Sequence, residues 1–217
     1  MASRPNSTRA PGFLLVAALA TALPILWSFA LPVLNASDAA RHGTHGLTLY
    51  VHVSAGTAMI ILGAASLYIG WTKKAFRRHK WFGYSYIVVG SCNALAGLLL
   101  SIRSPHPPHS VSIATGTVAV VWLAFTAMAL RAALNKRFDA HKEWMVRSYV
   151  ITWSFVGCRL AGFIPLFPSL GAEGVTAMVW LNWIVPVLIC ELVLQWKLTG
   201  KVVHKGAAPV SPLHSPE

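Results

Sequence analysis

Carboxylates are scarce in this chain. Its 217 residues hold six Asp and Glu against eighteen Lys and Arg, and charged residues of both signs make up only 11%. Soluble domains average about 25% charged residues. A soluble fold of this length would have too much surface to cover with so few charges. Cysteine is nearly missing as well. Cys92, Cys158 and Cys190 all fall inside apolar runs, and none stands in a CxxC or other metal-ligand spacing. That excludes a disulfide framework and a thiolate metal site, and leaves three small hydrophobes. The chain also lacks a P-loop, a dinucleotide fingerprint and any visible nucleophile–base pair, so soluble-type enzymology is set aside.

What is plentiful is apolar. Hydrophobic residues make up 55% of the chain and the mean hydropathy is +0.58. A membrane-spanning helix needs roughly 20 mainly apolar residues, and six runs qualify: about 12–34, 47–71, 81–102, 111–130, 149–168 and 175–198. The expected fold is all-α: a polytopic bundle of six transmembrane helices in one domain, residues 12–199, within a lipid bilayer. The flanking segments 1–11 and 200–217 are rich in Pro, Ser and Lys and are expected to be disordered tails. The first run, about 23 residues, is too long for a signal-peptide core and is expected to be retained.

The net charge of +12 does not call for nucleic acid here. Basic residues gather in cytoplasmic loops of membrane proteins. Five sit in "TKKAFRRHK" and five in "RAALNKRFDAHKEWMVR", whereas the intervening loops hold Arg41, Arg103 and none. Every basic cluster falls on one side if both termini are cytoplasmic. A plasma (inner) membrane protein is the expectation.

One phrase occurs twice. "HKWFGYSY" begins at His79 and "HKEWMVRSY" at His141, the second with one residue inserted. Trp and Tyr favour the headgroup zone and Lys and Arg snorkel to it. The phrase therefore seats two helices at one depth, with Trp71, Trp81, Trp144 and Trp196 at the same interface. The anchoring role does not explain why histidine stands first in both copies.

Charges within a span default to functional hypotheses. Arg159 and Glu191 are expected to pair inside the bundle, or Arg159 to serve a buried anionic group. Ser148, Thr152, Phe155, Arg159 and Gly162 follow one helix face. Glycines recur at seven-residue spacing in the second run (Gly56, Gly63, Gly70) and in the third (Gly83, Gly90, Gly97), which predicts a close pair. His52 shares the glycine face and points inward. His42 with His45, and His106 with His109, add two His-x-x-His pairs on loops, a spacing compatible with a metal site.

The arrangement of His52, "RRHKWFGYSYIVVGSCNALAGLLLS", "VVWLAFTAMALRAAL" and "AHKEWMVRSYVITWSFVGCRL" resembles a family of predicted membrane proteins known as domain of unknown function 2306. That resemblance covers about residues 47–165. It puts family positions on His79, Trp81, Gly83 and Tyr86, and on His141, Trp144, Met145, Arg147, Ser148, Tyr149, Thr152 and Arg159. Lys80 and Lys142 stand where arginine is usual, and Ser85 where arginine is frequent. A lysine keeps the charge and loses the planar fork. The architecture is similar to multi-helix b-type cytochromes and ferric-reductase-like membrane domains, which hold haem b between histidines on facing helices. On that expectation the cofactor is haem b, with His52, His79 and His141 as candidate iron or metal ligands and Arg147 and Arg159 as candidate propionate partners. Two other functions are compatible with the sequence: a small-solute or proton carrier lined by the Ser148–Thr152–Arg159 stripe, and a non-catalytic subunit acting through a homo-oligomer or another membrane partner.

Overall fold

A computed structural model describes residues 46–103 and 109–206, with isolated positions 16, 19, 20, 23 and 24, and side chains only as far as Trp196. The first expected span and His42, His45, His106 and His214 fall outside the described residues or nearly so. Every described element is helical. The order is α1 (Gly46–Thr72), a 3-10 turn (Phe76–Arg78), α2 (His79–Arg103), α3 (His109–Leu134), α4 (Phe138–Thr152), α5 (Ser154–Ala161), α6 (Leu166–Ser169) and α7 (Gly171–Gly206).

Four segments are long and apolar enough to cross a membrane: Gly46–Thr72, Phe76–Arg103, His109–Leu134 and Gly171–Trp196. The remaining expected span, 149–168, is not one helix. Its helix starts eleven residues earlier, at Phe138, turns at Trp153 and ends at Ala161. The polar stretch 138–148 hid the true start from a hydropathy reading. The Trp153 amide is shared between the carbonyls of Tyr149 and Val150 at 3.3 and 3.2 Å, a local tightening that separates α4 from α5. α7 runs on past the expected span into the segment read as a tail.

The bundle interior is mainly apolar, built on residues such as Met59, Ile60, Tyr86, Trp122 and Ile151, and a few polar side chains within the described helices are turned into it. Ser66, Thr126, Arg147, Ser148 and Thr152 are buried, while Val88, Leu95, Val120, Leu188 and Leu192 are exposed. Trp71, Trp81 and Trp196 are exposed. Trp144 instead turns inward to meet Phe125, ring centroids 5.4 Å apart. Cys92, expected among buried residues, is exposed.

α1 and α2 make the most extensive helix contact, as the glycine spacing predicts. Their glycines also act as sockets for rings. A Cβ at Gly63 would collide with Tyr149 of α4 and Tyr86 of α2, and one at Gly90 with Trp122 of α3. At Gly56 the neighbour is Phe155, at Gly70 His79, and at Gly97 His52.

Both tight turns at the basic end place lysine in the left-handed region: Lys73 at φ 56° and Lys136 at φ 56°. Around Lys136 the Arg137 amide donates to the Ala132 carbonyl at 2.9 Å and the Lys136 amide to Ala133 at 3.0 Å. This is a Schellman closure of α3 with lysine at the position that glycine usually takes.

Candidate functional site: a histidine pair at the basic end of two helical hairpins

The twin phrase produces twin geometry. His79 starts α2 and its Nδ1 donates to the Ser66 carbonyl of α1 at 3.2 Å. His141, in the first turn of α4, donates from Nδ1 to the Ala129 carbonyl of α3 at 2.9 Å. Each histidine ties its helix back to the helix before it, thirteen residues earlier in one hairpin and twelve in the other. A backbone carbonyl only accepts, so Nδ1 carries a proton in both rings, and in the neutral ring that leaves the Nε2 lone pair free. Histidine thus has the same structural part in both copies, closing its helix onto the one before it.

The two rings meet. Their centroids lie 6.2 Å apart with planes at 87°, and Phe76 stacks on His79 at 5.3 Å. Apart from Phe76, small residues stand nearby: Ser66 and Gly70 beside His79, and Gly83 beside Ser66. A Cβ at Gly83 would find only Ser66 Oγ, at 3.9 Å.

His52 does not join them. Its Nδ1 donates to the Asn93 carbonyl at 3.2 Å, and its ring lies beside Gly97 and 6.5 Å from Phe155. His79 lies beside Gly70, eighteen residues further along α1 than His52, or about 27 Å at 1.5 Å per residue. Of the three candidate ligands, His79 and His141 stand together and His52 stands apart. Among the described residues no three His, Cys, Asp or Glu side chains gather as a metal-holding group.

The expected Arg159–Glu191 pair is also corrected. Glu191 Oε2 accepts from Arg147 Nε at 2.8 Å and Nη2 at 2.7 Å. Its Oε1 accepts from Gln195 at 2.8 Å. Arg147 further meets Glu143 at 3.6 Å and lies over the Trp144 ring, 4.8 Å from the centroid. The reason is register. α7 runs antiparallel to α4 and α5, with Arg147 level with Glu191 and Gly157 level with Asn182. Arg159 is then level with about residue 180, roughly 17 Å along the axis from Glu191, beyond any side chain's reach. Arg159 stands two residues before α5 ends, exposed, over Phe155 at 5.6 Å. Arg147, expected in a loop or against a propionate, is instead buried in the bundle and engaged by two carboxylates.

The polar stripe divides at Trp153. Ser148 and Thr152 are buried with Tyr86 and Trp122 in a closed network. Trp122 Nε1 donates to Thr152 Oγ1 at 3.2 Å and to Tyr86 at 3.3 Å, and the Tyr86 hydroxyl meets Thr152 Oγ1 at 2.8 Å and Ser148 Oγ at 3.3 Å. Thr152 and Ser148 donate onward to the carbonyls of Ser148 and Met145. Sequence reasoning missed Trp122, Glu143 and Gln195. Glu143 was findable, four residues before Arg147 on one helix face. Trp122 carried no signal beyond being an indole in mid-span.

No curated protein and no solved structure matches the chain. Residues 49–194 match the family described as Predicted membrane protein (DUF2306), a stretch that begins beside His52 and extends past Glu191. That match covers both hairpins, the histidine pair and the Arg147–Glu191 contact, and by it the chain belongs to the DUF2306 family of membrane proteins.

Proposed function

We propose that this protein is a six-pass electron carrier of the plasma (inner) membrane, both termini cytoplasmic, that holds haem b between His79 and His141. One observation carries the reading: two imidazoles with Nδ1 committed to backbone carbonyls stand with ring centroids 6.2 Å apart. An iron bound by two imidazole nitrogens at about 2 Å each sets ring centroids roughly 6 Å apart. Two protein donors do not fill the shell of a bare divalent ion, which takes four or more. They suffice where the other positions arrive with the metal, as on a macrocycle.

The small residues Ser66, Gly70 and Gly83 stand near this level, and Arg77, Arg78, Lys80 and Lys142 are the cations nearest in sequence for two propionates. Bound haem would supply one-electron chemistry. The chain's own part is to fix the tautomer of both rings, hold them on two hairpins whose glycine sockets lock the packing, and keep the site at one end of the bilayer. The six crossings count the 12–34 run and the α4–α5 helix with the four long apolar segments. The carrier reading loses its polar path, because Ser148 and Thr152 are saturated by Tyr86 and Trp122.

The test is a visible spectrum of the protein purified in mild detergent, oxidised and reduced, with a pyridine haemochrome assay. The expected result is a Soret band that is lost in His79→Ala and His141→Ala and kept in His52→Ala. A folded, colourless protein that takes up no added haemin overturns the proposal.

A further inference from the structure

The outer side of the α3–α4 hairpin carries a groove of about 380 Å³, lined by Met128, Arg131, Ala132, Asn135, Arg137, Ala140 and Trp144. Its lining includes neither histidine of the pair and shares only Trp144 with the surroundings of Arg147. Met128, Arg131 and Ala132 lie on one face of α3, Ala140 and Trp144 lie four residues apart early in α4, and Asn135 and Arg137 stand in the turn between the two helices. The two helices run in opposite directions, so both deepest residues, Met128 and Trp144, lie toward the membrane centre. Asn135 and Arg137 lie at the mouth, and Arg131, Ala132 and Ala140 lie between. The lining therefore grades from apolar to cationic along the bilayer normal.

The charges are available. The described ion pairs are Lys142–Asp139, Arg147–Glu143 and Arg147–Glu191, so neither Arg131 nor Arg137 meets a carboxylate among the described residues. Both are exposed. The apolar wall is rigid, since Phe125 and Arg147 both pack against the Trp144 ring. An arginine fork suits a phosphate geometrically, and basic clefts beside membrane helices suit anionic head groups.

We propose that this groove is a binding site for one anionic phospholipid. The phosphodiester lies between Arg131 and Arg137, the Asn135 amide meets the head group, and one acyl chain runs inward along Ala132, Ala140, Met128 and Trp144. The order of groups from mouth to depth is the order in a lipid already standing in the leaflet, so the ligand needs no reorientation.

Native mass spectrometry of the full chain, released from phosphatidylcholine nanodiscs doped with phosphatidylglycerol, tests this. The expected result is one retained phosphatidylglycerol per chain in preference to phosphatidylcholine. Arg131→Gln/Arg137→Gln should weaken retention by roughly 30-fold, about fivefold for each charge at the surface. Lys73→Gln/Lys74→Gln removes equal charge from the other basic loop and should leave retention unchanged. Ala140→Phe keeps both arginines, fills the acyl slot and should lose the lipid. Equal retention of the two lipids overturns the proposal, as does equal loss in the two double variants, which would mean diffuse surface charge. Full competition by glycerol phosphate would reduce the groove to a phosphate site and overturn it too.

Discussion

Replacing Glu191 with leucine leaves a guanidinium stranded. Arg147 has a side chain only 10% exposed, and its two short contacts both go to Glu191 Oε2, while Glu143 stands at 3.6 Å. Removing one partner of a buried pair costs about 3–5 kcal/mol. Here Glu143 remains and Glu191 itself is 42% exposed, so solvent screens part of the interaction and about 2 kcal/mol is the fitting figure. The reverse change, Arg147→Met, releases two carboxylates that are each at least 33% exposed and can hydrate, for about 1 kcal/mol. The double variant strands no charge and places two apolar side chains together, so its stability should return to within about 1 kcal/mol of the parent. Thermal unfolding in detergent, followed by circular dichroism, reads these values. At roughly 2–4 °C per kcal/mol for a chain of this size, Glu191→Leu should lower Tm by about 4–8 °C, and the double variant should recover most of that loss. Additive losses from the two single changes would falsify the pairing. An Arg159→Met cycle against Glu191 should show no coupling. Coupling there would reinstate the register that the sequence alone suggested.

The glycine sockets predict a second result. Gly90→Ala places a methyl group inside the Trp122 ring, and that indole is held by Thr152 and Tyr86. The loss should reach about 3 kcal/mol, and Trp122→Leu in the same chain should relieve part of it, measured by the same melts. Lys136→Gly frees a left-handed position and should stabilise by about 1 kcal/mol. A decrease in Tm for that variant would mean that the Lys136 side chain makes a contact worth more than the backbone strain.

How far the sequence went depends on the kind of signal. Hydropathy is additive and local, so the long apolar helices α1, α2 and α3 were legible to within a few residues, and α7 was legible except for its last eight. It failed at α4, where Asp139, His141, Lys142, Glu143 and Arg147 lower the average although the helix packs within the bundle. The turn at Trp153 left no mark either, since no Pro or Gly stands at that position. The repeat was legible as text, and its equal depth follows from the interfacial letters around it. The bonds from His79 to Ser66 and from His141 to Ala129 were not, because a carbonyl acceptor has no residue identity. Partner choice for Glu191 was misjudged for a related reason. Depth along each helix was counted from the apolar boundaries, and a shift of eleven residues in one boundary exchanges Arg159 for Arg147.

The sockets also bear on the order of synthesis. Tyr149 and Trp122, which fill Gly63 and Gly90, belong to helices translated after α1 and α2. The first hairpin is thus made with two hollows that it does not fill by itself, although Tyr86 of α2 already reaches Gly63. The second hairpin supplies the rings that fill both hollows, so α1 and α2 reach their final packing only after α3 and α4 have been made.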